Sequence, residues 1–175
     1  MLFRSAGHQG VVSLAAGTAS NGWRSISLGD NAIGLANNRI GGTNPITIEA
    51  LIRIQGSLAA VDLERVVLGI GNLWNATGEP SSGVYVRVVG GASPVFQAVA
   101  NNGGVISSSN GTTVIAVGTW YRVRLIISNP GSSPSVQLSV NNVNEGSPIT
   151  TNIPTAVDLG FGVKIDAGTA PATPS

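Results

Sequence analysis

Cysteine is missing from the 175 residues, so neither a disulfide framework nor a thiolate metal site can be built, and thiols say nothing about redox compartment. Charge is scarce as well: Asp, Glu, Lys and Arg make up 10% of the chain, against roughly 25% in an ordinary soluble domain. Nine Lys and Arg face eight Asp and Glu, a formal net charge of +1. With no basic excess to neutralise phosphates, nucleic acid and anionic membranes are both poor partners. One histidine, His8, is the only imidazole, so a catalytic triad or a zinc site would have to be built around a single ring near the start of the sequence. No stretch approaches the ~20 apolar residues of a membrane span, and Met1 to His8 lack the apolar run of a secretory signal. The expectation is a chain made in the cytoplasm without a signal peptide.

What is present is glycine, 24 residues of it, with abundant Asn, Ser and Thr, and a period-two rhythm where no window shows helical spacing. In Ile46–Ile54, the side chains of Ile46, Ile48, Ala50, Ile52 and Ile54 share one face, and Glu49 and Arg53 point away. In Trp120–Ile127, Tyr121, Val123, Leu125 and Ile127 form the better core face, opposite Trp120, Arg122, Arg124 and Ile126. Further strands are predicted at Gly10–Ala15, Trp23–Leu28, Arg65–Ile70, Val84–Val89, Val95–Ala100, Val136–Val140 and Val157–Ile165, with short alternations around Val105 and Val114. Gly41–Pro45, Gly90–Pro94, Asn101–Gly104, Asn110-Gly111 and Asn129–Pro134 read as reversals between them. The pattern predicts an all-β, two-sheet antiparallel sandwich over residues 1–165, with an extended low-complexity tail over 166–175. Its shared core should include Ile48, Ile52, Val123, Leu125, Leu138 and Phe161.

Four segments in order resemble the concanavalin A-like jelly rolls, the group that includes laminin-G-like and pentraxin-like domains. Trp23-Arg24-Ser25-Ile26-Ser27-Leu28-Gly29 is similar to the opening strand of that family, and Ile46-Thr47-Ile48-Glu49-Ala50-Leu51-Ile52-Arg53 to its "tftieawi" strand. Gly118-Thr119-Trp120-Tyr121-Arg122-Val123 resembles the "g-x-W-y-x-v" step, and Val136-Gln137-Leu138-Ser139-Val140-Asn141 the "l-x-l-y-v-n-G" strand. The resemblance covers roughly residues 20 to 165. It implies the jelly-roll fold and leaves the function open among lectins, glycosidases, adhesion modules and phage structural proteins.

Glycosidase relatives carry their carboxylates as Glu-x-Asp-x-x-Glu on one strand, because acid and nucleophile must flank one bond about 5 Å apart. That motif is absent: Glu49 has no second carboxylate nearby, and the close acidic pair Asp62 and Glu64 runs straight into Arg65. The chain is therefore expected not to be an enzyme and to need no cofactor. Asn72, Asn75 and Glu79 around Trp74 suggest an oxygen-rich loop, but hard cations want several carboxylates and this segment has one, so a plain turn is expected. Trp74, flanked by Gly71, Asn72, Asn75 and Gly78, is the aromatic best suited to stack on a sugar.

The outward faces of three strands, carrying Arg53, Tyr85 with Arg87, and Trp120 with Arg122 and Arg124, mix guanidinium and aromatic groups where Lys and Glu would be usual. If they shared one patch they would make a protein interface. On these grounds the leading expectation is a non-catalytic virion structural protein, a phage capsid decoration or cement protein. It would bind a major capsid or other virion protein, assemble as a homo-oligomer and reside in the virion. The alternative is a carbohydrate-binding lectin-like module using Trp74, Asn72 and Asn75 on a glycan.

Overall fold

A computed structural model describes residues 23–28, 40, 45–55, 58, 65–72, 79–155 and 159–166. Its strands are β1 (Trp23–Leu28), β2 (Ile46–Arg53), β3 (Arg65–Gly71), β4 (Gly83–Val89), β5 (Val95–Asn102), β6 (Val105–Val114), β7 (Trp120–Ser128), β8 (Ser135–Val140), β9 (Val143–Ile149) and β10 (Gly160–Asp166). They form a six-stranded sheet in the order β1-β10-β3-β4-β5-β6 and a four-stranded sheet in the order β2-β7-β8-β9, and every pairing is antiparallel. The chain changes sheet after β1, β2, β6 and β9. Two sheets with one apolar face each can bury those faces only against one another, which is why the alternating pattern ends as a sandwich.

Between the sheets lie Val84, Val86, Val88, Phe96, Ala98 and Ala100 from one side, and Ile48, Tyr121, Val123, Leu125, Ile127, Val136, Leu138 and Val140 from the other. The expected core face is found: Ile48, Val123, Leu125 and Leu138 are buried, and Ile52 and Phe161 pack against them partly buried. Leu125 faces Ile48 on one neighbouring strand and Leu138 on the other, giving one apolar row across the four-stranded sheet. Phe96 and Tyr121 meet edge-on across the gap, ring centroids 5.5 Å apart. The Tyr121 hydroxyl accepts from the Ala116 N–H at 2.8 Å, tying the chain before β7 to the core.

Several readings of the sequence need correction. Asn110-Gly111 is not a reversal: it lies inside the ten-residue β6, which joins the two alternations around Val105 and Val114. At Gly111 a Cβ would sit 2.5 Å from Glu145 Oε2 and 2.9 Å from the Phe96 carbonyl, so glycine serves close approach there and not a turn. Strand β9 went unpredicted, because Val143–Ile149 places Asn144, Glu145, Gly146, Ser147 and Pro148 between its two apolar ends and so shows no alternation. Its hairpin is nonetheless written in Asn141 and Asn142, with φ of 51° and 70°, the primed-turn geometry that asparagine tolerates. Asp166, assigned to the tail, ends β10 in register with Trp23 and Arg65. The strand predicted at Gly10–Ala15 and residues 167–175 lie outside the described residues.

Candidate functional site

Three polar constellations stand out, one on each outer face and one where the sheets meet at an edge. On the outer face of the six-stranded sheet, Tyr85 and Arg87 of β4 neighbour Val67, Val99 and Gln97. Val67, Tyr85 and Val99 form a small apolar cluster separate from the main core, and Lys164, opposite Val67, is fully buried beside it. Segment Glu79–Ser82 folds back onto this face, where the Asn101 amide donates to the Pro80 carbonyl at 2.8 Å. The Glu79 carboxylate accepts from the Tyr85 hydroxyl at 2.8 Å and from Arg87 Nη1 at 2.8 and 2.9 Å. Arg87 Nε donates on to Gln97, and Gln97 to Asn110 at the exposed edge. A carboxylate exposed by only 8% is tolerable here because it is both paired and hydrogen-bonded. Burial, and after it the Glu79 carboxylate, pushes the Tyr85 phenol above its ordinary range. Gly69 permits this packing, since a Cβ there would lie 2.5 Å from Tyr85 Cα and 2.3 Å from the Val84 carbonyl.

The loop that leaves β3 is clamped at its base. Asn72 N–H donates to the Ser82 carbonyl at 2.9 Å, Ser82 N–H donates back to Asn72 Oδ1 at 2.8 Å, and Asn72 Nδ2 donates to Ser81 Oγ at 3.1 Å. Ser81 and Ser82 in turn accept from the backbone of the β5–β6 hairpin at Gly104 and Gly103. Asn72, one of the expected glycan contacts, thus has its amide engaged in holding the stem. Trp74 and Asn75 lie outside the described residues, as do Asp62, Glu64 and His8.

On the outer face of the four-stranded sheet, register sets Glu49 opposite Arg124, Leu51 opposite Arg122, and Arg53 opposite Trp120. Glu49 Oε2 accepts from Arg124 Nε and Nη2, both at 2.6 Å, while Arg122 Nε stands 3.5 Å from Oε1. The Arg53 guanidinium sits 5.9 Å from the Trp120 ring centroid, within cation–π range. Asn141 fixes the strand beneath: its Oδ1 accepts from Arg122 N–H at 3.0 Å, and its own N–H donates to the Arg122 carbonyl at 2.8 Å.

The expected single patch is therefore divided. Arg53, Trp120, Arg122 and Arg124 share one face, but Tyr85 and Arg87 belong to the opposite sheet, and Tyr85 is fully buried. Parity placed every one of them away from the main core, yet parity says nothing about which sheet a strand joins.

At the third place, edge strands β6 and β9 approach each other and nearly close the sandwich. Glu145, 5% exposed, points inward from β9 and accepts from Thr112 N–H at 3.0 Å, Thr113 N–H at 3.2 Å and the Thr113 hydroxyl. Those donors are freed by the bulge at which β6 slips register against β5. Beside them runs an open groove of about 280 Å³ lined by Ser107, Ser108, Ser109, Ser147, Pro148, Ile149, Thr150 and Thr151. Its hydroxyls partly satisfy one another, with Ser107 Oγ and Thr151 Oγ1 2.7 Å apart. Neither Glu145 nor this groove was anticipated: a lone acid in a polar stretch gives no sign of burial.

The three carboxylates so placed, Glu49, Glu79 and Glu145, sit on three different surfaces, each engaged by its own donors. Among the described residues no three His, Cys, Asp or Glu side chains gather as metal ligands.

No protein-family model matches the chain, and no curated protein matches it in sequence. Among solved structures it is similar to the carbohydrate recognition domain of Emp46p in its potassium-bound form. The likeness has a TM-score of 0.54 at 14% identity and covers 87% of this chain and 74% of that one. With its two antiparallel sheets and their crossovers, the chain folds as a jelly-roll sandwich of the concanavalin A-like type.

Proposed function

We propose that this chain is a non-catalytic carbohydrate-binding module of lectin type. The observation that carries the reading is the fold shared with a carbohydrate recognition domain along 87% of the chain. It supports glycan binding more directly than attachment to a virion. The stem between β3 and β4 fits: the Asn72–Ser82 clamp lies beside a face rich in planar amide and guanidinium groups, and Trp74 follows Asn72 by two residues in the sequence. Sugars are held by such groups, with an aromatic ring against their apolar face and bidentate planar donors on their hydroxyls. No acid–nucleophile pair is needed for that work, and Glu49, Glu79 and Glu145 stand apart from one another.

The test is retention of the purified chain on a glycan array, wild type against Trp74→Ala. Binding to a defined set of glycans that falls about tenfold or more on Trp74→Ala supports the reading, tenfold being the loss of roughly 1.4 kcal/mol of stacking. Retention by no glycan would sink it. Attachment to a larger protein assembly, the virion included, is the second reading, and the observation that favours it is the arginine and tryptophan face of β2 and β7.

A further inference from the structure

We propose that the outer face of β2 and β7 docks a protein partner that presents carboxylates around an apolar contact, and that Glu49 holds the place of one such carboxylate in the free chain. The proposal concerns a different surface from the β3–β4 loop and does not depend on glycan binding there.

Exposure is the first argument. Leu51 is 64% exposed and Trp120 42%, diagonal neighbours on a sheet face where isolated domains place short polar or charged groups. Charge is the second. Among the described residues three arginines, Arg53, Arg122 and Arg124, share this face with one carboxylate, Glu49, an excess of two positive charges on a protein whose net charge is only +1. A second copy of this face would bring the same excess against it, so the occupant is not the matching face of another copy of the chain. A polyanionic glycan could meet the arginines but has no use for Leu51, whereas an acidic protein surface with an aliphatic or aromatic centre satisfies both features.

The geometry at Glu49 shows how the partner would bind. Arg124 turns both Nε and Nη2 toward Glu49 Oε2, while Arg122 reaches Oε1 only at 3.5 Å. A guanidinium is a planar fork suited to a bidentate carboxylate, and Arg122 is not using that capacity on Glu49. A partner carboxylate can take Arg122 outright and compete with Glu49 for Arg124. Removing the internal competitor should therefore strengthen docking, which a merely structural ion pair would not do.

The experiment is fluorescence anisotropy with three labelled probes: a short peptide alternating Asp or Glu with Leu, its Asn/Gln counterpart, and hyaluronate. Wild type should bind the acidic peptide in preference to the neutral one, and binding should weaken as salt is raised. Arg122→Ala with Arg124→Ala should cost about fivefold or more, and Glu49→Gln should tighten binding severalfold. Thermal melts of each variant report folding, and Glu49→Gln keeps both arginines, so it carries the test if the double variant is unstable. Equal binding of acidic and neutral peptides, or none by either wild type or Glu49→Gln, overturns the proposal. Hyaluronate bound more tightly than the acidic peptide would assign the face to an anionic glycan and overturn it too. An unchanged affinity in Glu49→Gln would overturn the role given to Glu49.

Discussion

Replacing Glu145 with alanine tests how the sandwich is closed at the β6–β9 edge. The carboxylate is 5% exposed and accepts from Thr112 N–H, Thr113 N–H and the Thr113 hydroxyl. Hydrogen bonds to a charged acceptor are worth about 1.5–3 kcal/mol each, and a buried donor left alone costs about 1–3 kcal/mol. Thr112 is exposed, so water can take over its N–H, whereas Thr113 is half-buried and has two donors to lose. The net loss should be about 2–4 kcal/mol, less than the sum of three bonds because the bulge can relax toward solvent. For a chain of this length that is a fall of roughly 5–12 °C in melting temperature. Glu145→Gln retains an acceptor oxygen and the shape, and should lose about half as much. Amide hydrogen exchange should show protection lost at Thr112 and Thr113 in the alanine variant before the rest of β6 is affected. An alanine variant melting within about 1 °C of wild type, with both amides still protected, would refute the reasoning.

Two further outcomes follow from the same packing. Leu125→Ala empties a site between Ile48 and Leu138 that is 1% exposed, and should cost about 2–5 kcal/mol in urea unfolding; a loss under about 1 kcal/mol would mean that the row is not the core. The raised Tyr85 phenol makes the folded state hold its proton where the unfolded chain releases it. Stability is then full below about pH 10 and falls as pH rises, by up to about 1.4 kcal/mol per pH unit. In Tyr85→Phe that alkaline slope should flatten, and an unchanged slope would place its origin elsewhere.

Much of the fold was legible because alternation sets both strand identity and face. Ile48, Val123, Leu125 and Leu138 all occupy the interior that their parity implied. Strand β9 escaped because its interior position Glu145 is polar, and because Gly146 and Pro148 interrupt any rhythm. Asn110-Gly111 misled for a related reason: the dipeptide that favours a hairpin also favours a bulge, and only the approach of Glu145 and the Phe96 carbonyl distinguishes the two. The surface was harder still. Arg53, Arg122 and Arg124 were grouped correctly because β2 and β7 are neighbours, but nothing local in Val84–Val89 reveals that β4 lies in the other sheet. Tyr85 is buried on an outer face because a loop from its own neighbourhood, Glu79–Ser82, returns over it. Such folding back depends on long-range pairing and leaves no periodic trace.

The most direct test of the central claim is one glycan-array measurement made on three proteins: wild type, Trp74→Ala, and Arg122→Ala combined with Arg124→Ala. A lectin-type module that binds through the β3–β4 loop should retain a defined glycan set as wild type, lose about tenfold or more with Trp74→Ala, and keep its signal when the two arginines on the opposite sheet are removed. Retention of no glycan by the folded wild-type chain would contradict the account, and so would a signal that survives Trp74→Ala but disappears with Arg122 and Arg124.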